Sequence, residues 1–303
     1  MEAPIQGYAK VGIVHFMAYP VNKGDGPILE SLRRIVSDPF FDAVEVSWIN
    51  DPAVRKQARN LFEQSLITVA FGAQPILLGG KHDLNSDSEV KRREAVDAVK
   101  GAIEQAVELG AISVSVLSGK DPGVAQRAAA MAKLIESLKE LGDCASARGL
   151  RLVLEIFDRV PFGKNCLIGP SADAAAVAAE VRKNCPSFGL MVDLSHLPLL
   201  DEKPEDSIRT IREYFVHAHI GNCVKRNPRH PAYGDEHPRF GTPDGENGVV
   251  ELRRFLQVLL NVGYLRMVDR RILSFEVRPL PGEEIEAVIT GSKRILGEAW
   301  SSL

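Results

Sequence analysis

The chain has 303 residues, 45 % hydrophobic and 25 % charged, and 40 acidic against 37 basic side chains leave a net charge of −3. These are the proportions of a soluble globular protein, and a near-neutral balance with no long basic stripe speaks against a nucleic-acid partner. No apolar run reaches the roughly 18 to 20 residues of a membrane span, and the start MEAPIQGYAKVG lacks a basic region followed by an apolar stretch, so neither anchor nor signal peptide is read and a cytoplasmic location is expected. The four cysteines, Cys144, Cys166, Cys185 and Cys223, form no C-x-x-C pair, which fits reduced structural thiols rather than a zinc ribbon.

In chain order, short runs rich in β-branched residues alternate with longer stretches of apolar spacing at i, i+3 and i+4. The predicted strands are VGIVHF from Val11, AVEVSW from Ala43, ITVAFGA from Ile67, ISVSVLSG from Ile112, LRLVLEIF from Leu150, FGLMVDLSH from Phe188, YFVHAHIG from Tyr214 and ILSFEVRP from Ile272. Most read as buried on both faces, as parallel strands covered by helices are. Asp51-Pro52 and Asp121-Pro122 read as helix starts, Gly110, Gly149 and Gly263 as helix ends, and PGEEIEAVITGSKRILGEAW as an eighth helix. Eight βα units predict an α/β fold, a single (β/α)8 TIM barrel over residues 1–303. A doubly wound sheet is the alternative, but no G-x-G-x-x-G follows the first strand.

From Gly221 to Gly248 the rhythm breaks into a proline- and glycine-rich segment with no helical pattern. It follows the seventh strand, so in a barrel it lies at the C-terminal mouth, where active sites are built. Its basic residues Lys225, Arg226, Arg229 and Arg239, with His230 and His237, predict a lid that reads a polar substrate group; a surface or subunit-contact loop is the competing reading.

Near the ends of the last four strands each segment carries one potential metal ligand: Glu155, Asp193, His219 and Glu276. A carboxylate inside an apolar strand is costly unless paired, and three carboxylates with an imidazole at one mouth would repel each other without a cation. Mixed oxygen and nitrogen ligation suits Mn²⁺, Mg²⁺ or Co²⁺, with Zn²⁺ also compatible. The competing readings are ion pairs from Glu155 and Glu276 to Arg151 or Arg278, an Asx-type turn of Asp193 with His196 closing the strand, and a core role for His217. His15, Glu45, Trp48, Gln74 and His82 stand at other strand ends or beside them and are further candidates for the mouth.

The Glu on strand five, the D-x-x-H of Asp193 and His196, the H-x-H-x-G of His217, His219 and Gly221, and the F-E-V-R ending at Arg278 together resemble the xylose isomerase-like barrel superfamily, and within it the ketose 3-epimerase branch of sugar isomerases and epimerases. The resemblance implies one divalent metal, Mn²⁺ by preference, on Glu155, Asp193, His219 and Glu276. It further implies that Glu155 and Glu276 are an acid/base pair moving a proton through a metal-stabilised enediolate, and that His196 contacts a small carbohydrate substrate. His15, Glu45, Trp48, Lys225, His237, Arg239 and Arg278 are the further substrate-binding candidates, and a homo-oligomer, with a second subunit as an option, is expected.

The branch carries a Glu six residues beyond the strand-five ligand, where this chain has Pro161 with Asp158 and Arg159 nearby. That departure and the long loop from Tyr233 to Gly241 favour an alternative, a metal-dependent lyase on 3-oxo-glycosides resembling the α chains of C-glycoside deglycosidases; a non-catalytic sugar-binding subunit is a further alternative, against which the intact metal ligands argue. A phosphodiester-cleaving barrel like endonuclease IV is disfavoured, because the chain has only seven histidines.

Overall fold

In the computed structural model, which describes residue 1 and residues 3–303, eight parallel strands close into a barrel in chain order. They are β1 (Ala9–Val14), β2 (Ala43–Val46), β3 (Thr68–Gly72), β4 (Ser113–Val116), β5 (Arg151–Ile156), β6 (Gly189–Asp193), β7 (Phe215–Gly221) and β8 (Arg271–Glu276), with β8 paired to β1. Each falls within or beside its expected segment, and the (β/α)8 barrel is the fold.

The alternation of side chains along a strand explains how these sequences fill two environments. Leu152, Leu154 and Ile156 of β5 join the large apolar core shared with the helices, whereas the intervening Val153 and Glu155 do not. On the inner face Ala43, Ala70 and Ile272 make a separate small cluster, and two residues further along the same strands stand Glu45, Gly72 and Ser274. The barrel is therefore closed by apolar packing below, while polar residues collect towards the C-terminal mouth. Register then sets neighbours: Asp193 is opposite His219, and Glu276 is opposite Gly221.

The helix starting at Pro52 is capped as its sequence predicts, with the Asp51 carboxylate accepting from Ala53 N at 2.7 Å. Gly110, Gly149 and Gly263 all have positive φ just past helix ends. Asp121-Pro122 does not open a helix; the next one begins at Arg127, and Asp121 forms a bidentate pair with the Arg127 guanidinium at 2.6 and 2.9 Å. An Asp-Pro pair serves a loop equally well when an arginine captures its carboxylate.

The sequence pattern also misses three short helices above the barrel, His15–Ala18, Gln74–Gly80 and His196–Leu200. They are too short to show periodicity, yet they line or back the mouth. His15 is the first casualty: β1 ends at Val14, and the imidazole turns into a buried network with Ser31 Oγ (2.7 Å) and Asn22 Nδ2 (3.3 Å). Burial pushes it down to about 3, so the ring is neutral, and it does not line the mouth cavity. Among the described residues no helix is long and apolar enough to cross a membrane, and all four cysteines are free.

Candidate metal centre and active site

The ends of β5 to β8 bring Glu155, Asp193, His219 and Glu276 together, each offering a ligand-type atom within 4.8 Å of the others, and all four are buried. The competing ion pairs do not form, since Arg151 is exposed at the start of β5 and Arg278 pairs with Glu236 at 2.6 Å. The Asx-type turn does form, with Asp193 Oδ1 accepting from Ser195 N at 2.7 Å. It uses only one oxygen and leaves Oδ2 buried with no hydrogen-bond partner.

Each remaining ligand-type residue is oriented by a neighbour. Ser115 Oγ donates to Gln74 Oε1 at 3.1 Å, which turns the Gln74 amide so that Nε2 donates to Glu155 Oε2 at 2.7 Å. Glu155 Oε1 is then buried and unpartnered, 3.8 Å from His219 Nδ1. Glu45 Oε1 accepts from both His217 Nε2 (2.8 Å) and His219 Nε2 (3.0 Å), which leaves His219 Nδ1 facing Glu276 Oε2 at 2.6 Å. A carboxylate behind a histidine is the usual support of a metal-binding imidazole, fixing both tautomer and ring plane.

The electrostatics follow from this crowding. Burial, and after it the negative charge of Glu276, push the Glu155 carboxyl up to about 8. Burial acts on Glu276 in the same direction, but the imidazoles of His237 and His219 outweigh it and hold that carboxyl at about 2. Burial likewise opposes the charge on Glu45, yet His217 and His219 keep it well below the usual carboxylate range. Two carboxyls whose environments separate their proton affinities are what a proton shuttle needs.

Two unpartnered buried carboxylate oxygens on adjacent strands are costly in an apolar barrel. Three carboxylates and one imidazole at this spacing fit a divalent cation, which would satisfy both oxygens at once.

Above these residues lies a cavity of about 330 Å³, with a polar floor that includes Glu45, Gln74, Glu155, His219, His237 and Glu276. Its wall is apolar, formed by Phe16, Met17, Pro20, Trp48, Pro75 and Leu78. Gly24, at φ +80°, lets the chain after β1 lie against the Trp48 edge, where a Cβ would sit 2.0 Å from the indole Nε1. Lys23, Lys164, Asp235, Glu236 and Arg278 also line the cavity.

The 221–248 segment does cover the mouth. Asn222 and Asn247 replace the missing ladder bonds, Asn247 Nδ2 donating to Leu194 O and Gly221 O at 3.1 and 3.0 Å, and Asn222 Oδ1 accepting from Asn247 N at 2.8 Å. The segment lowers Asp235, Glu236 and His237 into the cavity. Gly221 makes room for this: a Cβ there would lie 2.7 Å from Glu276 O and 3.1 Å from His237 Nδ1.

Its basic residues are placed differently from expectation. Lys225 donates to Asp201 and to Pro198 O, Arg226 pairs with Glu246 at 2.7 Å, and Arg239 pairs with Glu283 at 2.7 Å, all outside the cavity. Acidic neighbours neutralise these three, a pairing that residue spacing cannot reveal. Arg239→Ala is accordingly expected to change KM by less than about twofold and stability by no more than ~1 kcal/mol, the range of exposed ion pairs; steady-state kinetics and a thermal melt check both.

His196 also departs from its expected role. Its Nδ1 meets Ile156 O at 2.8 Å and its Nε2 meets Asp235 Oδ1 at 3.1 Å, so neither nitrogen faces the cavity. Glu45, Trp48, His237 and Arg278 do line it. Asp158 is occupied by loop amides of Val160, Lys164 and Asn165, and Arg159 by Asp173. Residue-by-residue reading misses Lys164, Asp235 and Glu236; the D-E-H run beside His237 was the available signal.

Comparison with known proteins agrees with the architecture. A family model described as xylose isomerase-like TIM barrel matches residues 39–291. A D-psicose 3-epimerase from Ruminiclostridium cellulolyticum is 25 % identical over 163 residues, 54 % of this chain and 54 % of that protein, so the match spans about half the relative's length. Among solved structures, an L-ribulose 3-epimerase superposes with a TM-score of 0.74 at 17 % identity, covering 97 % of this chain and 95 % of its own. A 3-keto-D-glucoside 4-epimerase from E. coli gives 0.65 at 16 %, covering 95 % and 98 %.

Proposed function

Because the chain belongs to the xylose isomerase-like TIM barrel family, we propose that it is a divalent-metal-dependent isomerase or epimerase of a sugar or sugar derivative, with residues 1–303 as one domain. The observation that carries this reading is the convergence of Glu155, Asp193, His219 and Glu276 with two of their buried oxygens unpartnered. The D-psicose 3-epimerase among its relatives points the same way.

These four residues would hold the cation, Mn²⁺ by preference. The cation would supply Lewis acidity, polarising a substrate carbonyl and offsetting charge as it develops on oxygen. Glu276 takes a proton from the carbon beside that carbonyl, and Glu155 returns one to the same carbon. Gln74 holds Glu155 in place, Glu45 holds His219, and the 221–248 segment shields the reacting carbon from bulk water.

The apolar wall favours a second reading within the same chemistry. A free ketose presents hydroxyls all round, and burying them against Phe16, Met17, Pro20, Pro75 and Leu78 would leave them without partners. A substrate with an apolar substituent suits that wall, as in a lyase that removes the same proton from a 3-oxo-glycoside and then expels the aglycone.

The test is metal analysis of the purified protein, followed by incubation in D₂O with Mn²⁺ and either D-psicose or a 3-oxo-glucoside. Deuterium at the carbon next to the carbonyl is expected. Epimer formation selects the first reading and aglycone release the second. Absence of bound metal and of exchange with both substrates would leave a sugar-binding subunit instead.

A further inference from the structure

The connection that leaves the cavity wall after β3 carries side-chain oxygens that the proposed chemistry does not use. The short helix Gln74–Gly80 lines the cavity through Gln74, Pro75, Leu78 and Gly79, and the segment 81–88, KHDLNSDS, joins it to the helix Glu89–Leu109. Leu84 anchors this segment, with its side chain buried in the core and its carbonyl accepting from Ser137 Oγ at 2.8 Å. Asp83 and Asn85 on either side are thereby held against the loop that follows β4, where Asn85 Nδ2 donates to Lys120 O at 3.1 Å.

That bond turns Asn85 Oδ1 away from Lys120, and this oxygen is buried with no hydrogen-bond partner, in a residue only 4 % exposed. Its near neighbour is the Asp83 carboxylate. A Cβ on Gly119 would lie 1.7 Å from Asp83 Oδ1 and 2.9 Å from Asn85 Oδ1, so the two oxygens crowd one point beside the Gly119 backbone. Turning the amide over does not relieve this, because its oxygen would then meet the Lys120 carbonyl. In either orientation one acceptor is left facing another, which is costly in a buried place unless something positive lies between them.

The surrounding charge agrees. Burial raises the Asp83 carboxyl above its ordinary value, the Asn85 backbone amide opposes this, and the charge of Asp87 adds to it, with Lys91 acting the other way. Asp83, Asn85 and Asp87 alternate along the chain as the first three side-chain ligands of calcium-binding loops do.

We propose that Asp83, Asn85 and Asp87 hold a Ca²⁺ ion that ties the cavity-lining helix Gln74–Gly80 to the loop after β4. Two oxygens on one Ca²⁺ at about 2.3–2.6 Å stand no more than about 5 Å apart, a limit that the crowding at Gly119 meets. The donors are hard oxygens on a loop, which suits the adaptable shell of Ca²⁺ better than the octahedron that Mg²⁺ demands. The helix beginning at Glu89 cuts the loop short of the twelve residues of an EF-hand, so water completes the coordination and the affinity is of the weak class, about 10⁻⁴–10⁻³ M. None of the three residues lines the cavity, and the site does not rest on the metal-dependent reading above.

The experiment is equilibrium dialysis of the metal-stripped full-length protein against radiolabelled CaCl₂ at constant ionic strength, with folding checked by circular dichroism. Wild type is expected to bind a Ca²⁺ that Glu155→Gln retains, and Asp83→Asn and Gly119→Ala are expected to hold that ion at least about tenfold more weakly. If Glu155→Gln binds no Ca²⁺ while Asp83→Asn binds it as wild type does, the site is overturned and the proposed function stands. Calcium affinity unchanged in both Asp83→Asn and Gly119→Ala would overturn it, as would no binding to any of the four proteins, which would leave a proton on Asp83 to satisfy Asn85 Oδ1. Should Asp83→Asn fail to fold, Gly119→Ala decides, because its Cβ meets the far ends of the Asp83 and Asn85 side chains, which can move aside, and displaces them from the ion.

Discussion

Glu276→Gln is expected to lower the rate of deuterium incorporation into substrate by about 10²–10⁴-fold while leaving the circular dichroism spectrum and melting temperature close to wild type. The magnitude is that of removing a positioned general base. The amide keeps the carboxylate's shape and one oxygen, so the contact to His219 Nδ1, now 2.6 Å, can persist. What it loses is the capacity to take a proton. His237 and His219 hold this carboxyl at about 2, so it is the ionised member of the pair at neutral pH. Metal affinity should fall modestly because three other ligand-type groups remain. Exchange measured at saturating Mn²⁺ separates the two effects, and near wild-type exchange there would show that Glu276 is not the base. Precipitation of the variant would assign it a structural role instead.

How much of this could be read from the sequence depends on which physical signal each residue leaves. The strands were legible because burial on both faces imposes a run of apolar residues, and Glu155, Asp193, His219 and Glu276 were legible because each interrupts such a run near its end. Period-2 alternation then placed His217 and His219 on one face, where both meet Glu45. Asp235 left no comparable mark: in a proline- and glycine-rich segment a polar residue costs nothing, so its burial between two histidines depends on the folded path of the loop. Lys225 and Arg239 misled for the mirror reason, because their partners Asp201 and Glu283 lie 24 and 44 residues away. His15 shows a third limit: β1 ends at Val14, two residues short of the end of the expected Val11–Phe16 run, so His15 opens a short helix and turns away from the cavity.

Glu45→Gln is expected to weaken Mn²⁺ binding by about 10–100-fold, the range for loss of an outer partner to a metal-bound histidine. At saturating Mn²⁺, kcat should stay within a few-fold of wild type. The single oxygen Glu45 Oε1 accepts from His217 Nε2 and His219 Nε2, so its charge fixes the His219 tautomer that turns Nδ1 towards Glu155 and Glu276. The amide retains an acceptor oxygen of the same reach that can still meet both imidazoles, but without the negative charge. His219 therefore loses basicity, which lowers its worth as a ligand. Glu45 also lines the cavity, so substrate contact is the rival account of the same residue. Electron paramagnetic resonance titration of free Mn²⁺ with the variant, set beside KM at saturating metal, separates the two. Weaker metal binding with KM unchanged places Glu45 behind His219; a raised KM with unaltered Mn²⁺ affinity places it against the substrate, because only a group that touches substrate changes binding once the metal site is full.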